Sequence, residues 1–272
     1  MTISRPAVAL LTSGALLACY ASTLRGMIGQ WWSDEDMGHG FLVPLVVAWI
    51  VWRERHRWMK LAPAPNWWGF AILAAAALLH AVATVGVGLF AASLALLVSV
   101  LGAVVAVAGF RFLRAWAFPL LLTLFMLPKL AVVYNQVTLP LQLLASRLAA
   151  AMLTAIGAGV IREGNVLEIG GHRIWVAEAC SGIRYLLPLA FMALLLTYLS
   201  DSKPWIRALM VAMAVPMAIL ANAVRVAAAA RVPALETGAA HAVAGWVIFV
   251  LCLVGLFVAR RLVDSLYARY SS

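Results

Sequence analysis

Three side chains suited to dividing the work of peptide-bond chemistry stand out from the apolar bulk of this chain: Cys180, Arg225 and His241. Cys180 lies in Ala177-Glu178-Ala179-Cys180-Ser181-Gly182-Ile183-Arg184, where a polar, strand-like segment gives way to a long apolar run. That places it at the mouth of a helix. Helix N-termini favour anions, because unpaired N–H groups and the macrodipole point at them. A thiol so placed ionises more easily, and the thiolate is the nucleophile. Arg184, one turn on, adds positive charge on the same face. The same cysteine also suits a plainer place, as a small apolar residue packed under a loop. Thiol-based cleavage further needs a proton carrier and a group that steadies the tetrahedral oxyanion. The imidazole of His241 suits the first, with an ordinary pKa of ~6.5. Arg225 stays protonated, so it suits the second, or the orientation of substrate. It interrupts a run of Ala, Val, Met and Ile, where a charge is costly and marks a functional position by default. Asn222, three residues earlier on the same helix face, is placed to orient guanidinium or substrate. The plainer alternatives are a guanidinium that snorkels to lipid phosphate and a His241 that merely opens a helix.

Long apolar segments must position these groups. The chain has 272 residues, 65% of them apolar and 11% charged. Soluble chains carry about 45–50% and about 25%. Several runs reach the ~17–25 residues of a spanning helix. They do not alternate apolar and polar residues, which excludes barrel strands. The composition predicts an all-α polytopic membrane protein of about eight transmembrane helices, forming a single integral-membrane domain over 1–272. The spans fall at 6–24, 39–52, 67–84, 88–109, 115–133, 183–199, 205–230 and 241–263. The stretch 134–157 carries Asn135, Gln136, Gln142, Ser146 and Arg147 and reads as an interfacial or re-entrant helix. Residues 165–176 read as a short β-hairpin around Gly170-Gly171, just before Cys180, in water or the interface. Leu16-Leu17-Ala18-Cys19 loosely resembles a lipobox, but the run of spans that follows favours an uncleaved first span.

Charge orients the bundle. With both ends inside, the inner loops and tails hold 12 of the 20 basic residues and 3 of the 10 acids. The outer side holds 8 bases and 7 acids, which is the positive-inside pattern. The net charge of +10 therefore reports cytoplasmic loops and not nucleic acid. This orientation brings Cys180, Arg225 and His241 to the same outer end of three successive helices. His39 opens the second span on that face and is a further candidate to line the site. His80 stands alone in an apolar span, with no second mid-membrane histidine to hold a haem. Three scattered cysteines give no metal spacing, so neither metal nor cofactor is expected. Gly-rich phosphate loops, HExxH and GxSxG are absent from the sequence. A transporter would explain the spans and the intramembrane Arg225, but not the gathering of thiol, guanidinium and imidazole. A cysteine-dependent acyl or lipid transferase is the other alternative.

Glu178-Ala179-Cys180-Ser181-Gly182-Ile183-Arg184, Asn222-Ala223-Val224-Arg225 and His241 with Gly245 resemble the exosortase/archaeosortase family. Trp32, Asp36 and His39-Gly40-Phe41-Leu42-Val43-Pro44 are similar to its N-terminal signature. Tyr185 departs from the family, in which serine is common after that arginine. The resemblance implies a bacterial inner-membrane cysteine peptidase or transpeptidase with a periplasmic site. Its partners would be exported proteins bearing a C-terminal sorting tail with a Pro-Glu-Pro motif, a span and a basic end. Exopolysaccharide systems commonly accompany such enzymes. It further implies that Cys180 forms a thioester, Arg225 steadies the oxyanion and His241 moves protons. Arg184, Asn222, His39, Arg173 and Trp175 are the expected substrate-binding residues, the last two receiving the acidic motif.

Overall fold

The computed structural model describes residues 5–176, 181–200 and 202–270. The chain forms two compact units, Met1–Leu130 and Ala131–Ser272.

The first unit opens with α1 (Arg5–Cys19) and α2 (Ala21–Ser33). They break at Tyr20, whose buried hydroxyl bonds Ser99 Oγ at 2.8 Å. A 3₁₀ turn, Gly38–Phe41, leads into α3 (Leu42–Arg53) and the short α4 (Arg55–Trp58). Next come α5 (Trp68–Val82), with its continuation Ala83–Val87, and α6 (Leu89–Val107). The pair α5–α6 packs through glycine. A Cβ on Gly69 would lie 2.2 Å from the backbone N of Ala106, and one on Gly102 3.1 Å from the Gly69 carbonyl oxygen. Small residues let membrane helices approach this closely. Gly69→Val is expected to lower the unfolding midpoint in detergent, by about 1–3 kcal/mol of overpacking. An unchanged midpoint would refute the contact. The Pro63–Pro65 link then caps α6. The N–H groups of Ala64 and Asn66 reach the carbonyls of Ala108 and Val105 at 3.1 and 3.2 Å, satisfying acceptors that the helix end leaves open.

Beyond α6 lie α7 (Phe110–Ala115), α8 (Ala117–Leu122) and a 3₁₀ turn, Thr123–Met126. The stretch 115–133 is thus not one continuous helix. Pro128 pushes Leu127 out of the helical region, to φ −64° and ψ 139°. Lys129 then bridges Asp34 and Asp36, at 2.8 and 2.6 Å. Trp31 donates to the Met126 carbonyl at 3.0 Å and packs so closely on Gly40 that a Cβ there would lie 2.5 Å from its ring. The loop after α2 is therefore fastened to the end of the unit.

The second unit begins with α9 (Ala131–Ala155), which absorbs most of 134–157 into one helix. Its polar Thr138, Gln142 and Ser146 are buried, and Ser146 donates to the Gly164 carbonyl at 2.9 Å. A sheet follows, made of β1 (Val160–Glu163), β2 (Val166–Ile169) and β3 (His172–Trp175), antiparallel in the order β1-β2-β3. The expected hairpin is the β2–β3 half, turning at Gly170 and Gly171 with φ +58° and +84°. The two-stranded reading is corrected to three strands. Its missing partner, Val-Ile-Arg-Glu, is only four residues long and has no alternation of hydrophobicity to announce it.

Helices α10 (Ile183–Leu199), α11 (Pro204–Arg231) and α12 (Gly238–Tyr270) complete the unit. Tyr185, Leu189 and Ala193 of α10 pack on Met210, Ala214 and Ala218 of α11 and on Cys252 and Leu256 of α12. These positions recur every three to four residues, the helical period.

Among the described residues, five helices are long and apolar enough to cross a membrane: Trp68–Gly86, Leu89–Val107, Ala131–Ala155, Pro204–Arg231 and Gly238–Tyr267. Four of them coincide with expected spans. The others expected at 6–24, 39–52, 115–133 and 183–199 correspond to shorter apolar helices. The protein is a mostly helical, polytopic membrane protein with a small three-stranded sheet.

Candidate active site

The second unit gathers the start of α10, the end of α11 and the start of α12. Arg225 enters this cluster from the last two turns of α11, with only 3% of its surface exposed. Its Nη2 donates to Nε2 of His241, three residues into α12. The other imidazole nitrogen, Nδ1, lies 2.8 Å from the Leu235 carbonyl oxygen. A carbonyl can only accept, so Nδ1 carries the proton and Nε2 offers its lone pair to the guanidinium. The turn Pro233–Leu235 thereby sets the tautomer of the ring.

Arg225 keeps two further donors in reserve. Its Nε and Nη1 are buried and meet no acceptor among the described residues. A buried donor left unused costs about 1–3 kcal/mol, and more when charged. A site that binds a developing negative charge accounts for such a cost. Beneath the guanidinium lies the ring of Tyr185, 5.8 Å from centroid to Cζ, within cation–π reach. Gly245 of α12 makes room for that tyrosine, since a Cβ there would lie 3.2 Å from the hydroxyl.

Asn222 is fully buried one turn before Arg225. Gly182 packs directly on it. A Cβ at Gly182 would lie 3.2 Å from the Asn222 Cβ, and φ at Gly182 is +87°, where side chains are strained. Ser181 is buried too. Gly182, two residues after Cys180 in the chain, is thus seated against the helix that carries Arg225. Cys180 itself, with Ala177, Glu178 and Ala179, lies outside the described residues.

The sheet adjoins the same end of α11. Leu167 and Val176 pack with Val226 and Ala230. His172 bonds Glu236 at 2.6 Å, tying β3 to the turn that holds His241. Arg173 is not a bare cation. Glu168, opposite it across β2–β3, bonds it at 2.6 Å and raises its pKa above the ordinary value, first by that hydrogen bond and then by its charge. Trp175 is 69% exposed. Arg184 is half-buried in the first turn of α10. His39 belongs to the first unit, beside the backbone of Phe125 and Asp36.

Of the sequence candidates, the structure therefore brings Arg225 and His241 together, with Asn222 one turn away on α11 and Gly182 against that asparagine. Sequence reasoning noted Tyr185 as a departure and missed its place under the guanidinium. Its one signal is a polar-tipped aromatic on the apolar face shared with Leu189 and Ala193. The Leu235 carbonyl gave no signal, because any residue has one.

The described residues make a helical membrane bundle with a buried arginine–histidine pair at one end of α11 and α12. Compared with known protein families, residues 31–258 match the one described as Transmembrane exosortase (Exosortase_EpsH), and the chain belongs to that family. It is a membrane-embedded, cysteine-dependent transpeptidase of the exosortase type, acting on the sorting signals of exported proteins. No curated protein and no solved structure matches the chain. The transporter and lipid-transferase alternatives give way to this membership.

Proposed function

We propose that Cys180 attacks the scissile carbonyl of a Pro-Glu-Pro-type sorting tail and holds the released acyl group as a thioester. The observation that carries the proposal is that, beside His241, Arg225 keeps two buried donors with no acceptor among the described residues. As substrate enters, Nη2 of Arg225 gives up its bond to Nε2 of His241, the freed lone pair accepts the thiol proton, and the sulfur bonds the carbonyl carbon. A donor of the Arg225 guanidinium left unpaired in the resting site, Nε or Nη1, holds the oxyanion. The C–N bond then breaks as the imidazolium returns its proton to the leaving amine. Water or an acceptor amine repeats the sequence on the thioester and frees Cys180. Asn222 fixes the guanidinium and the Ser181-Gly182 step, and Arg184 adds positive charge at the helix start.

The substrate arrives as an extended segment. β3 is an edge strand, bonded on one side to β2 and with its other edge unpaired among the described residues, so it offers main-chain groups to such a segment. Trp175 presents a ring to the proline-rich motif, and its acidic residue competes with Glu168 for Arg173. A tailed reporter tests the reaction. Wild-type membranes are expected to shorten it and to yield an acyl-enzyme cleaved by neutral hydroxylamine. Shortening of a tail-less reporter, with no such adduct, would overturn the proposal.

The enzyme sits in the bacterial inner membrane with eight spans, both ends inside and the site facing the periplasm, with His39 on the same face. The basic loops support this orientation. The helix Ala131–Ala155 then lies at the interface, so reporters fused at Pro128 and at Gly171 are expected on the same, outer side. Reporters on opposite sides would make that helix a ninth span and reverse one half of the bundle.

A further inference from the structure

The unit Met1–Leu130 contains a cavity of about 760 Å³ between α1, α6, α7 and α8. Its walls are almost wholly apolar, built from residues such as Leu16, Leu97, Leu101 and Val104. One end differs. There Trp116 stands edge-on to Trp58, with ring centroids 5.6 Å apart. The indole N–H of Trp116 is buried and meets no acceptor among the described residues. Arg111 and Arg114, just before it in the chain, are exposed and have no acidic partner among the described residues. Arg57 and Lys60 flank Trp58 and are exposed as well.

We infer that this cavity holds an acyl chain of an anionic phospholipid, with its headgroup on Arg111 and Arg114. Size decides against the nearest rival. A spanning helix of a tailed substrate is about 30 Å long and at least about 10 Å across. It would need over ~2,000 Å³, far more than the cavity offers. A polar metabolite would leave its groups unsatisfied against these walls. A run of methylenes fits both shape and chemistry. Filling the cavity with one gains little over leaving it in the bilayer, since lipid is as apolar as the walls. Selectivity must then come from the headgroup end. Basic groups at a membrane surface attract anionic lipid. The orphan N–H of Trp116 gives a phosphate or ester oxygen a directed bond. The inference rests on the first unit alone and is independent of the thiol chemistry.

Native mass spectrometry of delipidated full-length protein tests it. Phosphatidylglycerol and phosphatidylcholine of identical chains are offered in equal amounts. Wild type is expected to retain phosphatidylglycerol in preference. The double variant Arg111→Gln with Arg114→Gln changes two exposed residues, so its fold is kept. It is expected to lose about thirtyfold in that preference. Val104→Trp fills the cavity and is expected to retain neither lipid, and Trp116→Phe to weaken retention with the arginines intact. Equal retention of both lipids by wild type would overturn the inference, as would a double variant with undiminished preference.

Discussion

Replacing Cys180 with alanine is expected to stop removal of the sorting tail, a fall of at least ~10⁴-fold in rate. The membership of the family requires a cysteine. Of the three in the chain, Cys252 is buried in the core of the second unit, and Cys19 lies on α1 of the first. Cys252 lies about three turns along α12 from His241. Cys180 is followed directly by the buried Ser181 and by Gly182, which is seated against Asn222. Serine at 180 is expected to be nearly as inactive as alanine. Its hydroxyl keeps its proton at neutral pH, and among the described residues it is the Leu235 carbonyl that meets Nδ1 of the imidazole. The measurement is the fraction of tailed reporter shortened, at equal membrane levels of each variant. Activity of Cys180→Ala equal to wild type would remove the nucleophile assignment, while loss from Cys252→Ala alone would move it elsewhere.

Arg225 gives the second large effect. Arg225→Gln is expected to slow processing by ~10²–10³-fold, the usual cost of one lost oxyanion donor set. Arg225→Lys is expected to recover little. An ammonium can approach the oxyanion, but it does not present the planar guanidinium that bonds His241 in the resting site and the oxyanion in the reacting one. Stability should move differently. Nε and Nη1 cost desolvation and meet no acceptor among the described residues, so an uncharged residue of similar size is expected to hold or raise the unfolding midpoint. Activity and midpoint are therefore read together. A parallel fall in both would make Arg225 a structural residue, and full activity in the lysine variant would defeat the donor argument.

The parts of the site that were legible are those carried by rare side chains in an apolar context. Arg225 and His241 could be found because a charge or an imidazole in such a run requires a reason, and the three-helix topology already put them at one end. Long apolar periods likewise showed α5, α6, α11 and α12. What was hidden depended on contacts or backbone alone. β1 is a four-residue strand whose existence depends on β2 being there to pair with it. The polar residues of α9 suggested an exposed face, whereas Thr138, Gln142 and Ser146 face the interior of their unit. Arg173 read as a free cation because its partner Glu168 becomes its neighbour only once the strands pair.

The bond from His241 to the Leu235 carbonyl has a genetic consequence. In serine hydrolases the ring is oriented by a carboxylate, and one codon change removes it. Here the orienting atom belongs to the main chain, which every amino acid supplies. A scan of all single substitutions is therefore expected to show position 235 as permissive, although its oxygen holds the imidazole. The intolerance should surface at the neighbours that shape the turn, Pro233 and the left-handed Gly238 with φ +75°. A reader ranking positions by mutational sensitivity would map this contact onto the wrong residues.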